Sequence, residues 1–214
     1  MSSDSRLEWL GYLSSTGVYG DREGAWVTEE DEVRPTNRKT KIRFAVEQQW
    51  MNLFEKMGLP VHVFRLAGIY GPGRSAIDTL NKAGGDMSQC GANDQVSISR
   101  IHVQDIVTVL KASMANPSPG LLINVADDLP STRYEVLSFA CRLLNYPIQK
   151  PDKYVPEDGE SVLGIRGGSK RVDNSKMRNL LLRAGADLKY SDFRRYDTFS
   201  IAGVFKALTP NSPL

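Results

Sequence analysis

Residues 61–74 have the sequence VHVFRLAGIYGPGR, and this stretch decides the fold class of the chain. Its first ten positions are rich in β-branched and aromatic residues, Pro60 precedes them, and Gly71-Pro72-Gly73 follows them. Such a run between turn residues predicts a buried central strand over residues 61–70. Similar apolar runs alternate with helix-period segments along the rest of the chain, which predicts an α/β fold with a parallel sheet.

The other elements follow from the same patterns. Strands are predicted at 9–13, 96–101 and 121–125, and helices at 42–57, 76–83, 105–115, 132–144, 174–184 and 192–208. Gly58 is expected as a left-handed C-cap of the longest helix. Asp105 is expected as an N-cap, and Thr132 with Glu135 fits a capping box.

Composition excludes several classes of protein. The 214 residues carry 27 Lys and Arg against 25 Asp and Glu, so a net charge of +2 gives no general attraction to nucleic acid or membranes. Two cysteines, Cys90 and Cys141, without metal-ligand spacing, are typical of a reducing compartment. No apolar run approaches about 18 residues, and the N-terminus lacks the pattern of a signal peptide. We therefore expect a soluble intracellular protein, cytoplasmic by default, with an organelle left open for a longer form.

Four short islands in order carry a resemblance to a known superfamily. They are SSTGVYG at 14–20, RLAGIYGPGR at 65–74, IHVQD at 101–105 and INVAD at 123–127. In sequence and spacing they resemble the extended short-chain dehydrogenase/reductases, also called the NAD-dependent epimerase/dehydratase superfamily, and RVDNSK at 171–176 is similar to the tail of its atypical members. The resemblance implies part of a Rossmann-type doubly wound parallel sheet with a small C-terminal substrate-type subdomain.

The resemblance also implies a division of the chain. Residues 1–75 and 101–126 would form the partial NAD(P)-binding portion, and residues 76–100 and 127–214 the substrate-type subdomain. Ligand would lie beyond the carboxyl ends of the strands, where Ser15, Gly68 and Arg74 are expected to converge.

One expected feature is absent from the sequence. Superfamily members begin with a strand, a glycine-rich turn and a helix that hold the cofactor pyrophosphate, and no such fingerprint occurs in these 214 residues. The Ser-Ser-x-x-Val-Tyr-Gly motif, which follows four strands in the superfamily, starts here at residue 14. We therefore expect that roughly the first 90 residues of the pattern are missing, as in a truncated form, and that catalysis by this chain alone is impaired.

The superfamily's catalytic machinery, a Ser, a Tyr and a Lys, maps onto this chain only in part. By position in the motif the Ser corresponds to Ser15. Counting back from Glu47 by eight and four residues places Lys39 at the Tyr position and Arg43 at the Lys position. An arginine keeps its proton near neutral pH, so Arg43 would bind an anion rather than exchange a proton. Ser15, Lys39 and Arg43 are the candidate catalytic residues.

The remaining candidates follow from the same resemblance. Cofactor binding is assigned to Ser14, Ser15, Arg43, Leu66, Ala67 and Gly68, and substrate binding to Tyr19 and Arg74. Each has a structural alternative, such as a strand-end turn for Ser15 or a solvated helix face for Lys39 and Arg43. His102, with only His62 as a companion, is expected to be structural, and no metal site is predicted.

Three interpretations of function remain open. The first is an NAD- or NADP-binding oxidoreductase or isomerase that acts on a small polar metabolite. The second is a non-catalytic module that senses a dinucleotide or scaffolds a complex, which the loss of the Tyr favours. The third is a weak polyanion-binding module that uses the basic region 166–195, although neither a nucleic-acid nor a membrane partner is expected. An exposed strand at Trp9–Leu13 would also favour self-association.

Overall fold

The computed structural model describes residues 7–88, 96–149 and 168–197. The strands in these ranges are β1 Leu10–Ser15, β2 Trp26–Val27, β3 Val61–Leu66, β4 Gly68–Tyr70, β5 Ser97–Ile98, β6 Arg100–His102, β7 Leu121–Val125, β8 Ser131–Thr132 and β9 Arg171–Val172. The helices are α1 Arg38–Met57, α2 Ala76–Lys82, α3 Val103–Ala115, α4 Arg133–Leu144 and α5 Ser175–Arg183, and a 3-10 helix spans Thr16–Tyr19.

A parallel three-stranded sheet in the order β1-β3-β7 forms the centre of the fold. Ser15 lies beside Leu66, and Leu66 lies beside Val125, so the three carboxyl ends meet at one level. Phe64 and Ile123 on one face are fully buried in the cluster that contains α3 and α5. Successive side chains of a strand point to opposite faces, so α1 covers the other face. The predicted α/β class with a parallel sheet is confirmed.

The predicted strand 61–70 is in fact two strands. Ala67 donates its amide to the Val125 carbonyl (3.0 Å), whereas Gly68 donates to the Ser99 carbonyl (3.1 Å). Because consecutive amides bind different partners, the chain leaves the central sheet at Ala67, and β4 pairs with β6 instead. The predicted strand 96–101 is likewise divided into β5 and β6.

Helix ends follow local capping. The predicted box at Thr132 and Glu135 and the left-handed Gly58 are both confirmed. The N-cap assigned to Asp105 is wrong: α3 begins at Val103, and the His102 ring nitrogen Nδ1 accepts the Gln104 amide (3.1 Å). The Asp105 carboxylate instead accepts amides from residues 189 and 190, which ties α3 to the later chain.

A smaller core lies beside the sheet. Helices α2 and α4 pack on each other around Leu80, Met87 and Leu137, and the side chain of Cys141 is buried there. The last predicted helix is described only to Asp197, and the rest of it, like Cys90, lies outside the described residues. The division into two subdomains stays a prediction.

Strand β1 lies at the edge of the sheet. Among the described residues it pairs with β3 alone, and the Leu13 side chain is 42% exposed. Helix α1, which packs on β1, buries only Glu47 of its 20 residues. Within the described ranges, this side of the fold therefore presents an edge strand and partly uncovered apolar side chains.

Candidate functional site

A cavity of about 450 Å³, called here the Ser15 cavity, lies at the carboxyl ends of β1 and β3. Most of the residues predicted for the site line it, namely Ser14, Ser15, Arg43, Leu66, Ala67, Gly68 and Arg74. Gly17, Ser99 and Lys170 also line it. Its volume lies within the range of small-molecule sites, and the carboxyl ends of parallel strands are where such sites form in open α/β sheets.

Ser15 is held by the turn that follows β1. Its hydroxyl oxygen accepts the Gly17 amide (3.1 Å) and caps the 3-10 helix. A Cβ at Gly17 would lie 3.3 Å from this oxygen, so the missing side chain leaves room beside the hydroxyl. Among the described residues the Ser15 hydroxyl acts only as an acceptor, so its hydrogen can be donated to a ligand oxygen.

The crossing from β3 to β4 forms another part of the cavity lining. Ala67 is buried, while Gly68, which follows it, is exposed toward the cavity that it lines. A Cβ at Gly68 would lie 3.3 Å from the Ser99 carbonyl oxygen, so a side chain there would press on the wall and narrow the cavity. Small residues here present backbone, which lets a flat ring approach closely.

Three cations line the Ser15 cavity, and none of the described lining residues is acidic. The Arg43 guanidinium donates to the Leu13 carbonyl (3.2 Å) and is otherwise exposed. Lys170 is 5% exposed and donates to the Gly20 carbonyl (2.9 Å). Burial lowers the pKa of the Lys170 ammonium to about 8. With Arg74 as the third cation, the cavity favours an anionic ligand.

The structure places two predicted site residues elsewhere. Lys39 is exposed on the first turn of α1 and does not line the cavity. Tyr19 is fully buried; its hydroxyl donates to the Asn124 side-chain oxygen (2.8 Å) and accepts from Arg65 (2.8 Å). Burial raises the pKa of this phenol, although Arg65 opposes the rise. Tyr19 is therefore a core residue rather than a substrate contact.

Ser14 connects the cavity to a buried ion pair. Its hydroxyl donates to the Glu47 carboxylate (2.8 Å), which also accepts from the Arg65 guanidinium (Nε to Oε1, 3.1 Å). The two charged side chains are 1% and 4% exposed. The pair joins α1 to β3 directly beneath the turn that carries Ser15, so it holds that turn in place.

A second cavity of about 320 Å³, called here the Arg100 cavity, adjoins the first. The two share Gly68, Ile69, Arg74 and Ile98 in their linings. Sequence reasoning missed Arg100, Lys170 and Asp197 as lining residues. Of these three residues only Lys170 had a signal in the sequence that could have identified it, because it directly precedes the tail motif at 171–176.

Other predicted features have structural roles. His102 is 1% exposed and contacts the rings of Tyr190 and Tyr196, as expected for a structural histidine. In the described ranges no group of three or more His, Cys, Asp or Glu residues is placed to hold a metal ion. Across the same ranges, no helix combines the length and apolar character that a bilayer crossing requires.

Two basic side chains of α5 form ion pairs within the fold. Arg178 forms ion pairs with Asp128 and Asp187, and Lys176 contacts Glu30 (2.5 Å). These pairs reduce the free positive charge of α5. They leave little support for polyanion binding by this helix.

Comparisons with known proteins place the chain among Rossmann-type folds. No family model matches the sequence. The chain is 24% identical over 187 residues to Protein YeeZ of Escherichia coli K12, a match that covers 87% of this chain and 60% of that protein. The same figures hold for Protein YeeZ of Escherichia coli O157:H7. The chain thus spans about 60% of the length of the curated relatives that it matches.

Several solved structures resemble this chain in fold. A conserved protein of unknown function from Silicibacter pomeroyi is 38% identical, with a TM-score of 0.75 over 91% of this chain and 66% of that one. The dTDP-glucose 4,6-dehydratase of Bacillus anthracis, solved with NAD, is 18% identical, with a TM-score of 0.68 over 90% of this chain and 61% of that one. The UDP-glucuronic acid 4-epimerase of Bacillus cereus, solved with UDP-glucuronic acid and NAD, is also 18% identical, with a TM-score of 0.68 over 94% and 63%. The chain therefore has the fold of the NAD-dependent epimerase/dehydratase superfamily, as its four sequence islands predict.

Proposed function

We propose that this chain binds the nicotinamide end of NAD or NADP in the Ser15 cavity and serves oxidoreductase or isomerase chemistry on a small polar metabolite. The proposal rests on one observation: a single cavity is lined by Ser15, by the Ala67-Gly68 crossing and by three cations. Structural neighbours solved with NAD give it independent support.

The described residues fit a nicotinamide ribotide. Gly68 offers a wall free of side-chain atoms to the ring, and Arg43 and Arg74 offer charge to a phosphate. A bound nicotinamide ring supplies or accepts a hydride. Ser15 is proposed to orient the substrate oxygen with its hydroxyl hydrogen.

Proton transfer is assigned to a residue that sequence reasoning missed. Lys39 lies outside the cavity, and Arg43 keeps its proton near neutral pH. Lys170 lines the cavity, and its pKa of about 8 allows it to hold or release a proton close to neutral pH. Lys170 is therefore the proposed proton donor.

A titration with halves of the cofactor tests the proposal. Because the sequence carries no glycine-rich pyrophosphate turn, we expect nicotinamide mononucleotide to bind as tightly as NAD, and AMP to bind far more weakly. Calorimetry measures all three. Gly68→Val should abolish binding, because its side chain would occupy the space that the ring needs beside Gly68. Ala45→Val, on the exposed side of α1, should leave binding unchanged. Preferred binding of AMP would refute the proposal.

A non-catalytic sensing role is the second candidate. The exposed position of Lys39 favours it, because the residue at the position of the superfamily's Tyr does not line the cavity. An absorbance assay distinguishes the two candidates. It follows NADH in the presence of small aldehydes and ketones, with the protein in excess so that all NADH is bound. Oxidation supports catalysis, and binding without oxidation supports sensing.

A further inference from the structure

The Arg100 cavity combines an apolar wall with charged groups. Ile69, Val136, Leu137 and Phe193 supply the apolar side, from β4, α4 and the helical segment that starts at residue 193. Phe193 is 3% exposed and packs edge-on against Phe139. The wall is therefore fixed by the core behind it, which suits a ligand with an apolar body.

Arg100 is an incompletely satisfied guanidinium in this cavity. Its Nη1 donates to the carbonyls of Ile98 (3.0 Å) and Ser131 (2.8 Å). In the part of the chain that the structure describes, no hydrogen bond uses its Nε or Nη2, and no carboxylate forms an ion pair with it. Burial lowers the pKa of Arg100 to about 10, so the group is still charged at neutral pH. A desolvated cation with free donors is stabilised strongly by an anion.

Asp197 supplies a polar group of a different kind. It is 1% exposed, lines the Arg100 cavity, and its Oδ1 has no hydrogen-bond partner among the described residues. Burial raises its pKa to about 7, with a further contribution from Asp78. Near neutral pH the carboxyl group is therefore partly protonated, and in either form it can accept a hydrogen bond from a ligand hydroxyl.

We propose that the Arg100 cavity binds a compact organic oxyanion, a carboxylate or phosphate monoester on an apolar body. Arg100 holds the oxyanion, assisted by Arg74 and Arg133, while the apolar wall takes the body and Asp197 bonds a hydroxyl. The inference rests on the proposed function, since Gly68 and Arg74 belong to both cavities and place this ligand beside the nicotinamide. The volume of about 320 Å³ is near the lower end for ligand sites and suits a compact acid.

Phenyl phosphate is the probe for this site, because it joins an oxyanion to an apolar ring. We expect it to bind at least about 10-fold more tightly than either inorganic phosphate or phenol in calorimetry or ligand-observed NMR. Arg100→Gln should remove binding, and Arg133→Gln should weaken it by about 3- to 10-fold. Arg142→Gln, at an exposed position in the last turn of α4, is the matched control and should change nothing.

Several results would overturn the inference. Equal binding of inorganic phosphate and phenyl phosphate would show attraction to surface charge alone. An unchanged affinity for phenyl phosphate in Arg133→Gln would show that the ligand does not bind in the Arg100 cavity. Circular dichroism checks that Arg100→Gln folds, and the exposed Arg133 variant decides the matter if it does not. If nicotinamide mononucleotide binds and phenyl phosphate does not, the inference fails and the proposed function stands. The reverse result would retain the oxyanion site and reject the proposed function.

Discussion

Removing one partner of the buried Glu47–Arg65 pair should destabilise the fold severely. In Arg65→Met the Glu47 carboxylate, 1% exposed, keeps only the Ser14 hydroxyl as a partner. Breaking a fully buried ion pair on one side costs about 3–5 kcal/mol. Tyr19 also loses a hydrogen bond of 2.8 Å, worth about 1 kcal/mol more. A domain of this kind is stable by only about 5–15 kcal/mol, so the loss is a large fraction.

Replacing both charges should restore most of the lost stability. Glu47→Leu combined with Arg65→Met leaves neither charge of this pair buried. The remaining cost is about 2–3 kcal/mol, because Ser14 loses its acceptor and Tyr19 still lacks the Arg65 hydrogen bond. The double-mutant cycle should therefore show a coupling of several kcal/mol. Urea unfolding followed by tryptophan fluorescence measures each free energy of unfolding.

An exposed pair provides the matched control. Glu32 and Arg34 are 2.8 Å apart but 69% and 61% exposed, so Arg34→Met should change the free energy of unfolding by less than about 1 kcal/mol. If Arg65→Met costs no more than Arg34→Met, or if the two buried substitutions are additive, the Glu47–Arg65 pair does not stabilise the fold as proposed.

Two further predictions concern pH and assembly. Burial raises the pKa of Asp127 to about 8, so the folded state holds a proton that the unfolded state, with a pKa near about 3.9, releases. Stability should therefore fall as pH rises from about 4, near the unfolded pKa, to about 8, the folded pKa, by up to about 1.4 kcal/mol per pH unit, and Asp127→Asn should flatten this slope in thermal melts. An unchanged slope in the variant would contradict this. The free edge of β1 should cause concentration-dependent self-association in sedimentation, reduced by Leu13→Lys, and a monomer at every concentration would exclude it.

The sequence predicts elements well where local chemistry decides them. The helix at Thr132 starts where its capping box predicts, and Gly58 ends α1 in the left-handed conformation. The break at Ala67 could not be predicted, because it depends on carbonyls of Val125 and Ser99 that are distant in sequence. The periodicity of residues 61–70 does not indicate which distant carbonyl each amide will bind.

The same limit explains the site. Ser15 and Gly68 converge because parallel strands end at one edge of the sheet. This convergence follows from the topology of the superfamily, so the resemblance was enough to predict it. Tyr19 is only one turn from Ser15, yet Asn124 and Arg65 satisfy its hydroxyl inside the core. Lys170 lines the cavity from the position just before β9, a placement that only the folded chain shows.

Backbone amide shifts measured with nicotinamide mononucleotide test the central claim most directly. In a nitrogen-15 correlation spectrum the account predicts saturable shifts grouped at Ser15, Gly17 and Gly68, with the amides of α5 unaffected. Shifts that avoid the Ser15 cavity, or a spectrum unchanged at saturating ligand, would contradict it.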